Sequence, residues 1–133
     1  MAIEKKKQLL GDVLIIDDDP AICEILEQYC INLGCYRNIL IAHDGSIAST
    51  KLRNQKFALI LVDMQLPRKS GLDIIRELDD KSLNQKNSII VVSGTLEKTT
   101  LEKAVAMGVK NFLQKPFDEA TFQEKVLKLI GAK

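Results

Sequence analysis

The sequence lacks the features that mark several large classes of protein. It contains only three cysteines, and because they are odd in number and not closely paired they argue against a disulfide framework or a zinc site. No apolar run approaches the roughly 18 residues of a membrane span, and the charged N-terminus has no apolar signal-peptide core. We therefore expect a cytoplasmic protein in which Cys23, Cys30 and Cys35 are reduced.

Neither sign of charge is in excess. The 19 basic and 18 acidic residues give a net charge of +1, and no basic face or aromatic-interleaved stripe indicates direct contact with nucleic acid. Internal repeats and low-complexity segments are also absent. A chain of 133 residues is typical of one domain. We predict that domain over residues 12–133, after a flexible N-terminal extension formed by residues 1–11.

Short apolar runs alternate with amphipathic segments along the chain. Short apolar runs predict strands at 12–16, 39–42, 60–62, 88–92 and 109–113. The run at 60–62 is rich in β-branched residues and, like that at 12–16, indicates a buried strand. Apolar residues at helical spacing predict helices that start at Pro20, span 46–54, follow Gly71, span 96–107 and follow Asp118. In the second helix we expect Ile47 and Leu52 to face inward. Five alternations of strand and helix predict an α/β fold, a doubly wound five-stranded parallel sheet with five helices.

Polar side chains stand where the predicted strands end. They belong to Asp17, Asp18, Asp63, Ser93 and Lys115. In an open parallel sheet that edge is where ligands bind. The Asp19-Pro20 pair has the form of a helix start, with Asp19 as the cap. This leaves Asp17 and Asp18 for chemistry.

The residues after Asp63 place it at a junction of strand and loop. Pro67 cannot continue a central strand. Gly71 permits an unusual backbone turn. Asp63 is therefore expected at the edge of the sheet and not inside it.

The order and spacing of these motifs resemble the receiver domain of bacterial two-component response regulators, over Asp12 to Ile130. The resemblance implies a flavodoxin-like fold of the receiver type. It also implies that Asp17 and Asp18 are the acidic metal-binding pair and that Asp63 is the phospho-acceptor. Ser93 would be the conserved hydroxyl, and Lys115 would open the lysine-proline signature.

The resemblance also implies a magnesium-dependent reaction. Mg²⁺ prefers oxygen ligands and keeps several waters, so Asp18 and Asp63 can bind it directly while Asp17 holds a coordinated water. In receivers a backbone carbonyl two residues past the acceptor completes the set, which here is that of Gln65. Lys115 and Ser93 would contact the phosphoryl oxygens.

Partners and output follow from the same resemblance. The donor is expected to be a phosphohistidine on a histidine kinase or a histidine phosphotransfer protein, and the output a contact with an unknown protein target. Such a domain is a signalling phospho-acceptor that catalyses its own phosphorylation and dephosphorylation, as a monomer or a phosphorylation-dependent dimer. Phe112 stands where the family usually has an aromatic switch residue, commonly Tyr, that responds to Ser93.

Three alternatives remain open. A haloacid-dehalogenase-type phosphatase uses an Asp-x-Asp motif on its first strand, which Asp17 and Asp19 superficially fit, but Asp63 then has no role. A flavodoxin-like cofactor binder has the same fold, but three aspartates in the first loop would repel the phosphate of FMN. A degenerate receiver that acts as a constitutive binding module is disfavoured because all the chemical positions are filled.

Overall fold

The five strands form one parallel sheet. The computed structural model describes residues 8–94 and 97–131. The strand order is β2-β1-β3-β4-β5, with β1 at Val13–Ile16, β2 at Ile39–Ala42, β3 at Leu59–Val62, β4 at Ile89–Ser93 and β5 at Asn111–Gln114. All pairs are parallel. The order reverses between β1 and β3, which is the switch point where ligands bind in such sheets.

Helices cover both faces of this sheet, so the doubly wound flavodoxin-like fold is confirmed. They are α1 (Pro20–Leu33), α2 (Gly45–Asn54), α3 (Gly71–Glu77), α4 (Lys98–Ala106) and α5 (Glu119–Gly131), with a short 3₁₀ helix at Lys86–Ser88. Side chains of α1 and α5 pack in one core cluster. Those of α2, α3 and α4 pack in another, on the opposite face.

The central strands are apolar on both faces because both faces are covered. In β1, Val13 and Ile15 contribute to the α1–α5 cluster, whereas Leu14 and Ile16 contribute to the opposite one. All four are fully buried. Full burial of a side chain of this size stabilises the fold by about 1.5–3 kcal/mol, so the four side chains of β1 together contribute about 6–12 kcal/mol.

The predicted cap at Asp19 is confirmed, and two further helix ends have capping residues. The Asp19 carboxylate accepts a hydrogen bond from the Ala21 N–H at 3.0 Å. The α1 helix ends at Gly34, which is left-handed with φ 68°. The Asp118 carboxylate accepts from the Thr121 N–H at 2.8 Å at the start of α5.

The prediction that Ile47 faces inward is wrong. Leu52 is buried, but Ile47 is 48% exposed. The buried positions of α2 are Gly45, Ala48, Ser49 and Leu52. Residues five apart on a helix differ by about 140° in direction, so Ile47 and Leu52 cannot share one face.

Several limits differ by one or two residues from the sequence-based ones. The β5 strand starts at Asn111 and not at Val109, and α2 starts at Gly45. Leu96, the predicted start of α4, lies outside the described residues, as do residues 1–7. The division at residue 12 therefore stays a prediction. Leu10 and Gly11 do make backbone hydrogen bonds, to Cys35 and Arg37.

The structure describes the cysteines and the apolarity of the helices as follows. Cys23 and Cys30 are free thiols, and both are buried. Over residues 8–94 and 97–131, no helix combines the length and the apolarity that crossing a membrane requires.

Candidate functional site

Three carboxylates meet at the carboxyl edge of the sheet. Asp17 and Asp63 each follow a strand directly, and β1 and β3 pair with Ile16 opposite Val62, so the two aspartates lie side by side. Asp18 is next to them in the loop. One oxygen from each of the three lies within 4.8 Å of the others. Asp17 and Asp63 are 1% and 7% exposed, whereas Asp18 is open to solvent.

Lys115 supplies a positive charge to this cluster. Its Nζ donates to Asp17 Oδ2 at 2.8 Å and to Asp63 Oδ2 at 3.1 Å. Burial lowers the pKa of Lys115, but the hydrogen bonds and charges of the two carboxylates outweigh burial and raise it overall. Lys115 is therefore a cation at neutral pH. Burial raises the pKa of Asp17, and the contact with Lys115 offsets only part of that rise.

Two further donors contact the other oxygen of Asp63. Ser93, the buried last residue of β4, donates its hydroxyl to Asp63 Oδ1 at 3.2 Å. The Gln65 backbone N–H donates to the same oxygen at 3.1 Å. Asp63 is thus in contact with groups at the ends of β4 and β5 and with the backbone of its own loop.

Glycine is required at position 71 because the backbone lies close to Asp63, and not because the chain makes an unusual turn there. Its φ is not positive, whereas that of Arg68, earlier in the same loop, is 71°. A Cβ on Gly71 would stand 2.4 Å from the carbonyl oxygen of Asp63. The Gly71 N–H also donates to the Met64 carbonyl at 3.1 Å. The start of α3 therefore packs directly behind Asp63.

Two side chains contact the Asp17 backbone from behind the site. His43 Nδ1 is 3.1 Å from the Asp17 carbonyl oxygen, and the Cys23 thiol donates to the same oxygen at 3.3 Å. Burial raises the pKa of Cys23 to about 11, so the thiol is protonated at neutral pH and is not a nucleophile. No pattern in the sequence indicates these two contacts.

Comparison with known proteins gives the family. Residues 13–127 match the response regulator receiver domain. The chain belongs to this family. It is 31% identical over 112 residues to the transcriptional regulatory protein MalR of Bacillus subtilis, an alignment that covers 84% of this chain and 47% of MalR. The chain thus spans less than half the length of that relative.

Solved receiver structures agree with the fold. The receiver domain of a sensor histidine kinase from Pseudomonas aeruginosa, with a magnesium ion coordinated in its active-site cleft, superposes with a TM-score of 0.77 at 26% identity, covering 90% of this chain and 97% of that one. A response regulator from Burkholderia pseudomallei with a phosphorylated aspartic acid and a calcium ion superposes with a TM-score of 0.74 at 30% identity, covering 86% and 65%.

The predicted site residues of this receiver fall into two groups. The structure brings together Asp17, Asp18, Asp63, Ser93 and Lys115. Gln65 is beside them, with its N–H on Asp63 and its side chain exposed. Phe112 is separate, half-buried on β5 opposite Val91 and packed against the core.

The donor set of this receiver fits a hard divalent cation. Such ions take carboxylate and carbonyl oxygens and retain waters, and the three carboxylates stand at an edge that solvent reaches through Asp18. Asp19 is not available as a further acid, because it caps α1. The phosphatase alternative requires Asp19 as the second aspartate of a catalytic Asp-x-Asp motif, and the capping role of Asp19 therefore argues against it.

Proposed function

We propose that this receiver accepts a phosphoryl group on Asp63 from a phosphohistidine and signals through a change in protein contacts. The observation that carries the proposal is the environment of the Asp63 carboxylate. It is contacted on one oxygen by Lys115 and on the other by Ser93 and the Gln65 N–H, with two more carboxylates within ligand distance. No other aspartate among the described residues has these neighbours.

We infer that the metal is Mg²⁺, held by Asp18, Asp63 and the Gln65 carbonyl directly and by Asp17 through a water. When bound, Mg²⁺ supplies positive charge that neutralises the oxygens of the transferring group. The magnesium ion in the related kinase receiver supports this choice.

The chain's own residues account for the rest of the transfer. An Asp63 oxygen forms the new O–P bond while the N–P bond to the donor imidazole breaks, and the bonding electrons leave with the imidazole nitrogen. Lys115 already stands beside Asp63 and needs only to exchange a carboxylate oxygen for a phosphoryl oxygen. Ser93 is placed to donate its hydroxyl to another. Both contacts stabilise charge where the phosphoryl group arrives.

The wider role follows from the family. The donor is a histidine kinase or a histidine phosphotransfer protein, and the receiver unit spans residues 12–133. Hydrolysis of the acyl phosphate at the same site resets the protein, so its catalysis acts on itself. The phosphorylated form binds a downstream protein in the cytoplasm, alone or as a dimer.

The first prediction is that acetyl phosphate with Mg²⁺ adds one phosphoryl group to the purified protein, and that Asp63→Asn abolishes the addition because the nucleophilic oxygen is lost. Intact mass spectrometry measures it. Asp73→Asn, a change at an exposed carboxylate of α3, is the matched control and should be modified like the wild type.

Equal modification of the wild type and Asp63→Asn would contradict the assignment of the acceptor. A wild type that is never modified, although folded, would favour the constitutive binding module. Steady turnover of a small phosphate ester would favour the phosphatase.

A further inference from the structure

Arg68 has a backbone conformation that its residue type does not favour. Its φ is 71°, in the left-handed region that glycine adopts freely and that a Cβ disfavours. Such residues persist only where the surroundings hold them, and they concentrate at functional sites. Arg68 lies in the loop that follows Asp63, so the contacts that stabilise its conformation can also affect the position of the residues around Asp63.

The corner between β2 and α2, Asp44 and Gly45, contacts this loop at three points. The Gly45 N–H donates to the Pro67 carbonyl at 3.2 Å. Asp44 Oδ2 pairs with Arg68 Nε at 3.6 Å. A Cβ on Gly45 would stand 1.9 Å from the carbonyl oxygen of Lys69, so the loop occupies space that only glycine leaves.

The same loop is closed at its base beside the acceptor. The Gly71 N–H donates to the Met64 carbonyl, and the Gln65 N–H donates to Asp63. Gln65 therefore lies between a fixed base and a tip that the Asp44–Gly45 corner contacts. Pro67, the contacted residue nearest to Gln65, is two positions from it along the chain, so a shift of the tip reaches Gln65 through Leu66.

We propose that the Asp44–Gly45 corner is a positioning element for the metal site. By holding Arg68 in its left-handed conformation it fixes the backbone path through Gln65, whose carbonyl is a ligand under the proposed function on which this inference rests. The Arg68 side chain is 72% exposed, so its ion pair alone is weak. The hydrogen bond from the Gly45 N–H and the close approach of the buried Gly45 to Lys69 do not depend on that exposed side chain.

Gly45→Ala tests the steric part. The added methyl must displace the Lys69 carbonyl, so the Mg²⁺ dissociation constant of the full chain should rise by about tenfold, the lower end of what residues behind metal ligands cost. Gly131→Ala is the matched control because nothing lies within 4 Å of its Cβ position. Affinity is read from amide NMR shifts on titration with MgCl₂, and unfolding by circular dichroism is followed separately in EDTA.

A double-mutant cycle tests the conformational part without touching the core. Asp44→Asn keeps the cap on the Ile47 N–H, which Asp44 Oδ1 accepts at 2.8 Å, but removes the charge that faces Arg68. It should weaken Mg²⁺ binding less than Gly45→Ala does. Arg68→Gly adopts a positive φ without help, so adding Asp44→Asn to it should have no further effect on Mg²⁺ affinity.

The outcomes distinguish a wrong metal assignment from a wrong positioning role for the Asp44–Gly45 corner. If the wild type binds no Mg²⁺, the metal assignment fails and this inference fails with it. If the wild type binds Mg²⁺ but Gly45→Ala lowers only the unfolding temperature, the corner is merely structural and the inference alone is overturned. Should Gly45→Ala fail to fold, equal Mg²⁺ affinities throughout the Asp44/Arg68 cycle overturn it, and loss in Asp44→Asn with rescue by Arg68→Gly supports it.

Discussion

Lys115 is the residue on which the charge balance of the site depends. It contacts both buried carboxylates, whose mutual repulsion in a poorly solvated edge would otherwise raise the free energy of the folded state. A divalent cation would perform the same neutralisation from the solvent side. Lys115 and the metal therefore neutralise the same carboxylates. Removal of the Lys115 charge should favour metal binding, whereas removal of a carboxylate charge should weaken it.

The second prediction compares two single changes at this cluster. Asp18→Asn should weaken Mg²⁺ binding because a direct ligand loses its charge. Lys115→Ala should bind Mg²⁺ at least as tightly as the wild type, because a competing cation is removed, yet should be phosphorylated more slowly because a phosphoryl contact is lost. Magnesium titration by NMR gives the affinities, and mass spectrometry with acetyl phosphate gives the rates. If Lys115→Ala lost as much Mg²⁺ affinity as Asp18→Asn, the roles would have to be reassigned.

Among the elements, strands and helices were predictable and the contacts between loops were not. The apolar runs of β1, β3 and β4 are continuous because those strands are buried on both faces, and such runs are visible directly in the sequence. Asn84 shows the opposite case. It is buried and holds the Phe57 N–H and the Leu52 and Gln55 carbonyls, but in the sequence it is one polar residue in a polar stretch.

The site divides in the same way. Asp17, Asp18, Asp63, Ser93 and Lys115 were predictable because each ends a strand, and the ends of parallel strands share an edge. The left-handed Arg68 and the approach of Gly45 to Lys69 were not, because they depend on two loops meeting that are more than twenty residues apart in the chain. The pattern of residues within a short segment does not indicate which distant loop that segment contacts.

Asp12 joins three elements at the other edge of the sheet. Its carboxylate accepts from the Arg37 side chain, from the Asn38 backbone and side chain, and from Gln55 at 2.9 Å. Burial alone raises the pKa of Asp12, but the hydrogen bonds from Gln55, Arg37 and Asn38 outweigh it and bring the pKa below 3.8. The ionised carboxylate is therefore favoured by folding.

The third prediction is that Asp12→Asn lowers the free energy of unfolding by about 1–3 kcal/mol at pH 7. Because the folded-state pKa is depressed, the contribution of Asp12 is fully present above its unfolded pKa and is lost as pH falls through the folded value. The difference between wild type and variant should narrow below about pH 4. Urea unfolding at pH 7 and below pH 4 measures it, with Asp73→Asn as a control that should change little. A difference that stayed constant with pH would show that the charge of Asp12 is not responsible.

At the scale of the whole molecule, the proposed function requires a signal to travel from Asp63 to a surface that a partner contacts. Ser93 pairs with Gln114 and Val91 pairs with Phe112. Since alternate residues of a strand share a face, Ser93 and Phe112 lie on the same face of the sheet, the one that α4 covers. Phe112 packs there beside Met107 and the buried core. Movement at the end of β4 therefore has a short route to the surface formed by α4 and β5.

The last prediction is that the Ser93 hydroxyl couples phosphorylation to the position of Phe112. In the structure that hydroxyl contacts Asp63. A phosphoryl group on Asp63 presents oxygens that can replace this contact and draw the end of β4 toward the site. A ligand shifts a two-state equilibrium only if it makes more favourable contacts in one state than in the other. Ser93→Ala should therefore still accept phosphate, more slowly, but should show little change at the Phe112 ring.

Aromatic NMR resonances of Phe112, with and without the phosphoryl mimic beryllofluoride, measure the change. Ser46→Ala on the exposed face of α2 should respond like the wild type. The same large shift in the wild type and Ser93→Ala would remove Ser93 from the switch and leave Phe112 as core packing.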